Sequence, residues 1–214
     1  MVPALSLQSN HASSDPAQVA EIVARAALGE ESAWEELLGL YSRRVFAMAR
    51  SRLRSDELAE EITQSVFVTV ATKLTQPDSN ASGYSEQGRF EPWLFRITMN
   101  RVRDLCRKRS RHATPTAPEQ FNHLGATPDA DLGEQDHAHA QSEHLKDALA
   151  QLADRDREII ELRHHGQLSF KQIAEMTGDP IGTLLARHHR ALKKLRDLIE
   201  QQTNPPQDGS GEAQ

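Results

Sequence analysis

The chain has 214 residues, of which 37 % are hydrophobic and only 5 % aromatic, with a net charge of -6, so it can build one modest domain or two small helical ones. A single cysteine, Cys106, excludes an internal disulfide framework and a CxxC-type zinc site, and no apolar run approaches the roughly 18 residues of a membrane span, so no membrane insertion is expected. Residues 1–15 lack the basic start and hydrophobic stretch of a signal peptide and read as a disordered N-terminus, which gives a cytoplasmic expectation.

Asp15-Pro16 predicts a helix start, an N-cap followed by proline at the first helical position, and Val19, Ile22, Val23 and Ala26 then repeat at helical spacing until Gly29. From Ser32 a second amphipathic pattern (Trp34, Leu37, Leu38, Tyr41, Val45, Met48) runs to about Leu53, and a third runs from Asp56 to Leu74. Residues 75–88 (TQPDSNASGYSEQG) are polar and rich in turn formers, which predicts a loop. A fourth helix begins near Pro92 and ends in a basic run by about Arg111.

The net charge conceals a strong asymmetry. Residues 101–111 carry six basic side chains against one acidic, whereas residues 113–140 carry five acidic and no Lys or Arg. Phosphate binding depends on local field and not on overall sign, so the basic run is a candidate nucleic-acid contact. The acidic segment has almost no aliphatic residues and reads as a flexible linker between a domain over 16–112 and another over 141–200. Leu145, Leu149 and Leu152 open the second helical cluster. Asp154 is predicted to cap a helix through Ile159, Ile160 and Leu162 that halts at Gly166, and residues 201–214 read as a disordered tail. No strand signal occurs, so the expected fold class is all-α, two small helical domains.

Ser169-Phe170-Lys171-Gln172 fits a capping box, Gly178 allows a left-handed turn, and Asp179-Pro180 predicts the start of the next helix. Two helices joined by so short a turn form a helix-turn-helix, with the second helix free to enter a major groove. Its predicted apolar positions are Ile181, Leu184, Ala191, Leu192, Leu195 and Leu198. Thr183, Ala186, Arg187, Arg190 and Lys194 form the opposite face.

Residues 152–195, above all Ser169 to Ala174 with Gly182-Thr183-Leu184 and Arg187, resemble region 4 of bacterial sigma factors of the extracytoplasmic-function (ECF) type. The resemblance implies that Ser169, Thr183, Ala186, Arg187, Arg190 and Lys194 contact a minus-35 promoter element. Leu185 and Ala186 stand where the family usually has a lysine and a serine, and His188 takes an apolar position, so base specificity does not carry over.

Upstream, Ala59-Glu60-Glu61-Ile62-Thr63-Gln64-Ser65-Val66-Phe67 resembles the sigma region 2 motif that grips the clamp helices of RNA polymerase. On a helical wheel Leu58, Ile62, Val66 and Val70 face inward, while Glu57, Glu60, Glu61, Gln64 and Val68 share the outer face. The resemblance makes that face, with Ser65, the core-polymerase contact; Glu61 and Ser65 replace the family's usual aspartate and glutamate. Residues 90–104 are similar to the promoter-melting helix, where Arg96, Arg103 and Arg107 fall on one side and can follow a phosphate backbone. With Asn100 they are the expected minus-10 contacts. Trp93 reads as core beside Leu94 and Ile97, and Asp104 is expected to pair with Arg101 or Lys108. Asn80, Ser82 and Tyr84 lie in the loop where the family captures a flipped base.

These matches imply a transcription-initiation factor whose partners are core RNA polymerase, promoter DNA and an anti-sigma protein. The competing reading is a helix-turn-helix regulator that never joins the polymerase. Ten histidines, including His137, His139 and His144 near Asp136, raise a metal-responsive alternative, but loop ligands at such spacing bind weakly, and no metal or cofactor is expected. No catalytic constellation stands out, so no enzymatic activity is expected.

Overall fold

A computed structural model describes residues 15–75, 89–112 and 144–203, and every regular element among them is an α-helix. Four helices form an N-terminal bundle: α1 (Pro16–Ala27), α2 (Glu31–Leu53), α3 (Asp56–Thr75) and α4 (Phe90–His112). A short helix α5 over 144–150 precedes α6 (Asp154–His164), α7 (Phe170–Thr177) and α8 (Ile181–Thr203). The acidic segment 113–140, the two termini, and Asn80, Ser82 and Tyr84 lie outside the described residues.

Local chemistry fixes most of these boundaries. Asp15 accepts a hydrogen bond from the Ala17 N–H at 3.1 Å, with Pro16 as the first residue of α1. Helix α4 starts at Phe90, two residues ahead of the expected start, because Pro92 falls in the first turn, where its missing N–H leaves no bond unmade. Asp154 does not cap α6. Ala153 occupies that position without a side-chain bond, and Asp154 and Asp156 stand in the first turn, where their charge complements the helix dipole.

In the bundle, Leu37, Tyr41 and Met48 of α2 pack with Phe90, Leu94, Phe95 and Met99 of α4, all with almost no exposed surface. Trp93 is half-buried against the same core, its ring 5.9 Å from that of Phe90. Periodicity fails at Leu38, which is 41 % exposed, and at Leu145, exposed while Leu149 and Leu152 are buried.

The C-terminal helices bury residues in two directions. Ala148, Leu149, Leu152, Ile160, Ala191 and Leu195 make a small core of their own. Ile159, Leu162, Leu168, Ile173 and Leu184 instead join the core of the N-terminal bundle. Polar contacts close the seam. Glu161, wholly buried, accepts from Arg52 Nε at 2.6 Å, Arg157 Nε at 2.8 Å and Ser51 Oγ at 3.2 Å. Glu91 of α4 accepts from Arg44 at 2.8 Å and from the Gln172 amide at 2.7 Å. Arg54 Nη2 donates to Asp147 at 2.8 Å.

Candidate protein and nucleic-acid interfaces

Helix α3 presents the outer face expected of it. Ile62, Val66 and Val70 are buried and Leu58 is half-buried, while Glu57, Glu60, Glu61 and Gln64 are exposed and Ser65 is half-buried. Val68, in the same row, is 66 % exposed, a large apolar side chain left open among the described residues. Of its carboxylates, Glu57 lies in the first turn, where the positive end of the helix dipole favours its charge. Acids around an exposed valine suit a partner surface that is basic and partly apolar.

Helix α4 is basic toward its C-terminal end, and Arg107, Lys108, Arg109 and Arg111 are exposed. The two arginines nearer its start are differently placed. Arg96 donates to the carbonyls of Met176 and Glu175 at 3.2 and 3.4 Å, at the C-terminal end of α7. Arg103 pairs with Glu158 of α6 and donates to Asn100 Oδ1 at 3.2 Å. Arg101, one of the partners expected for Asp104, donates instead to Thr69 Oγ1 at 3.0 Å. The minus-10 candidates thus divide: Arg107 is open, whereas Arg96, Asn100 and Arg103 line the seam between the two halves.

The helix-turn-helix has the predicted local chemistry. Ser169 Oγ accepts from the Gln172 N–H at 3.2 Å, and the Gln172 side chain accepts from the Ser169 N–H at 2.8 Å. Gly178 adopts φ 79°, the left-handed conformation that ends α7. The Pro180 carbonyl accepts the first bond of α8, from Leu184 N–H at 3.1 Å. Thr183, Ala186, Arg190 and Lys194 are exposed along α8. Arg187 is half-buried and donates to Asp179 at 2.9 Å, so the aspartate ahead of the helix holds one of the expected phosphate ligands. Two residues assigned to the apolar face, Ile181 and Leu192, are exposed, as is Leu185.

A cavity of about 370 Å³ lies between α4 and the C-terminal helices. Four guanidinium groups line it, from Arg96, Arg103, Arg155 and Arg187, against the carboxylates of Glu158 and Asp179. Neither acid was a site candidate, because nothing in the local sequence marks a pair such as Arg103 and Glu158, which are 55 residues apart. Beside the seam, burial works against the Arg52 charge, yet the Glu161 carboxylate outweighs it and holds the guanidinium above its ordinary pKa. His188 stacks on His164 with ring centres 5.7 Å apart and meets the edge of Phe170 at 5.3 Å. Burial, and then the neighbouring His164, Arg163 and His189, push its pKa below the usual imidazole value.

Comparison with known proteins assigns both halves. Residues 37–112 match the family model for sigma-70 region 2, and residues 148–197 match that for sigma-70 region 4. The RNA polymerase sigma factor CarQ of Myxococcus xanthus is 33 % identical over 172 residues, spanning 80 % of this chain and 91 % of that protein. The ECF RNA polymerase sigma factor ShbA of Streptomyces griseus is 31 % identical over 191 residues, spanning 86 % and 96 %. The sigma factor RpoE of Bartonella quintana, solved with the anti-sigma factor NepR, superposes with a TM-score of 0.52 at 25 % identity, covering 78 % of this chain and 96 % of that one. CnrH, solved with the cytosolic domain of CnrY, shares the fold with a TM-score of 0.63 at 23 % identity over 87 % of this chain and 98 % of that one.

Proposed function

The chain belongs to the ECF group of sigma-70-type sigma factors, and from that membership we propose how its surfaces divide the work of promoter-specific initiation. As a member of that family it binds core RNA polymerase and directs it to specific promoters. The α3 face of Glu57, Glu60, Glu61, Gln64, Ser65 and Val68 docks on the polymerase. Arg96, Asn100, Arg103 and Arg107 of α4, with Asn80 and Tyr84 of the preceding segment, engage and help open the minus-10 element. Ser169, Thr183, Ala186, Arg187, Arg190 and Lys194 engage the minus-35 duplex.

The observation that carries this reading is the pairing, within one bundle, of an exposed acidic face on α3 with a basic helix α4, ahead of a capped helix-turn-helix. A regulator that acted without polymerase would need only the last of these. The chain then works by binding and carries out no chemistry of its own, in the cytoplasm where polymerase and DNA are found. An anti-sigma protein is the further partner, by likeness to the Bartonella protein solved with NepR. Phosphates that reach Arg103 replace the Glu158 carboxylate, so engagement of the minus-10 element exchanges an internal ion pair for an external one.

The test is transcription from purified components. Core RNA polymerase supplied with this chain is expected to start transcripts at cognate promoters, and Glu61→Lys with Gln64→Ala is expected to abolish its retention on the polymerase. A variant that keeps full activity and retention on the polymerase would show that this face is not the docking surface, and a chain that starts no transcripts with core polymerase is a regulator and not a sigma factor.

A further inference from the structure

The first turns of α8 display apolar side chains to water where a DNA-reading helix ordinarily displays polar ones. Ile181 and Leu185, at i and i+4, are 44 % and 47 % exposed, and Ala186 beside them is also exposed. Leu184, one position before Leu185, is buried in the core of the N-terminal bundle at 1 % exposure, and on the same side of the helix Ala191 and Leu195 are buried in the small C-terminal core. The register of α8 is therefore fixed by packing, and the outward direction of Leu185 and Ala186 follows from it. Between them on the wheel stands Gly182, where an added Cβ would meet no atom within 4 Å. Packing thus gives no reason for a glycine in this turn, whereas close approach of the backbone to a ligand does. Arg190, Lys193 and Lys194 are exposed one to three turns further on.

We propose that this chain reads its minus-35 duplex by apolar contact, with Leu185, flanked by Ile181 and Ala186, pressed against the C5-methyl groups of thymines in the major groove. The inference rests on the reading of α8 as the minus-35 helix and adds the chemistry of its specificity. N-terminal residues of a recognition helix are the ones that meet base edges. Leucine, isoleucine and alanine offer no donor or acceptor, so they cannot pair with the groove edges of guanine, adenine or cytosine. The thymine methyl is the one apolar feature the major groove displays. The basic residues that follow supply the complementary charge, holding phosphates and fixing register without reading sequence. A partner protein would also cover an apolar stripe, but a stripe flanked by Arg190, Lys193 and Lys194 on a helix-turn-helix favours a polyanion.

The test uses holoenzyme assembled from core RNA polymerase and the full chain, with a duplex library randomised across the minus-35 region. Selected sequences are expected to carry thymine, on either strand, at one or more fixed positions. Replacing those thymines by deoxyuridine, which removes only the methyl, is expected to weaken binding about threefold to fivefold per methyl. Leu185→Ala, at an exposed position, is expected to bind polymerase normally and to lose that discrimination. Leu185→Lys is expected to shift the selected base from thymine toward guanine. Selection without thymine, equal binding of deoxyuridine and thymidine, or full methyl discrimination in Leu185→Ala each overturns the proposal. Loss of polymerase binding in Leu185→Ala also overturns it, since the stripe would then contact protein. A chain that forms no holoenzyme fails at the first step, and that outcome removes the sigma-factor reading itself.

Discussion

Glu161 has no exposed surface, and a carboxylate so placed is held only by what surrounds it: Arg52 at 2.6 Å, Arg157 at 2.8 Å and the Ser51 hydroxyl at 3.2 Å. Glu161→Ala strips Arg157 of its carboxylate partner and leaves the largely buried Arg52 only the exposed Asp154 at 3.3 Å, and a loss of about 3–5 kcal/mol is expected in urea denaturation. Arg52→Ala combined with Glu161→Ala is expected to lose less than the sum of the single changes, because the second removes a partner already stranded. His188 makes a smaller, pH-dependent contribution. Its folded pKa lies below the usual 6.5, so the unfolded chain takes up the proton first as the solution is acidified. The stabilisation is complete above about pH 6.5 and is lost as pH falls toward the folded value. His165 is lowered in the same direction by burial, against the pull of Glu161. The melting temperature is therefore expected to drop between about pH 7.5 and about pH 5.5. His188→Leu should shrink that drop, and an unchanged slope would show that the imidazole titrates alike in the folded and unfolded chains.

At the scale of elements, the helix-turn-helix separates stability from recognition. Ser169→Ala removes the cap of α7 and is expected to cost about 1 kcal/mol in thermal melting. Gly182→Ala acts in the opposite direction. Open space around the Cβ and a better helix former should raise stability by up to roughly 1 kcal/mol, while promoter binding by the holoenzyme weakens. A variant that gains stability and binds promoter as well as before would show that the DNA backbone does not come close there. The elements themselves were largely legible in the sequence, because their signals are local. Asp15-Pro16, the Ser169 and Gln172 box and Gly178 each act within four residues of themselves. The outer face of α3 was legible for the same reason, since a wheel needs no knowledge of what lies across the core. What could not be read was any feature set by a distant element. Helix α6 buries Ile159 and Leu162 toward one core, Ile160 toward the other, and the carboxylate of Glu161 between them. Such a helix has no single apolar stripe to find. Leu38 and Leu192 obey the helical period yet remain exposed, because among the described residues no neighbour covers that side of α2 or α8.

At the scale of the molecule, the two halves cannot remain in this arrangement at a promoter. Elements centred about 25 base pairs apart lie roughly 85 Å apart along B-form DNA, whereas Arg96 of α4 touches the end of α7. Residues 113–143 join the halves, and a fully extended chain of that length reaches on the order of 100 Å, enough for both elements to be served at once. Glu158→Gln removes the counter-ion of Arg103 without changing its shape, and the free chain is expected to bind minus-10 DNA roughly twofold to fivefold more tightly. Equal binding in a filter or anisotropy titration would mean that Glu158 does not compete with phosphate.

The seam also governs what an opened molecule would encounter. Ile159, Leu162, Leu168, Ile173 and Leu184 share one buried cluster with the N-terminal bundle, so parting the halves bares greasy surface on both sides of the seam. A chain pried apart with nothing at hand to cover that surface should stick to its own kind. Opening and assembly are therefore best accomplished as one event, and a stockpile of this protein keeps only while it stays shut.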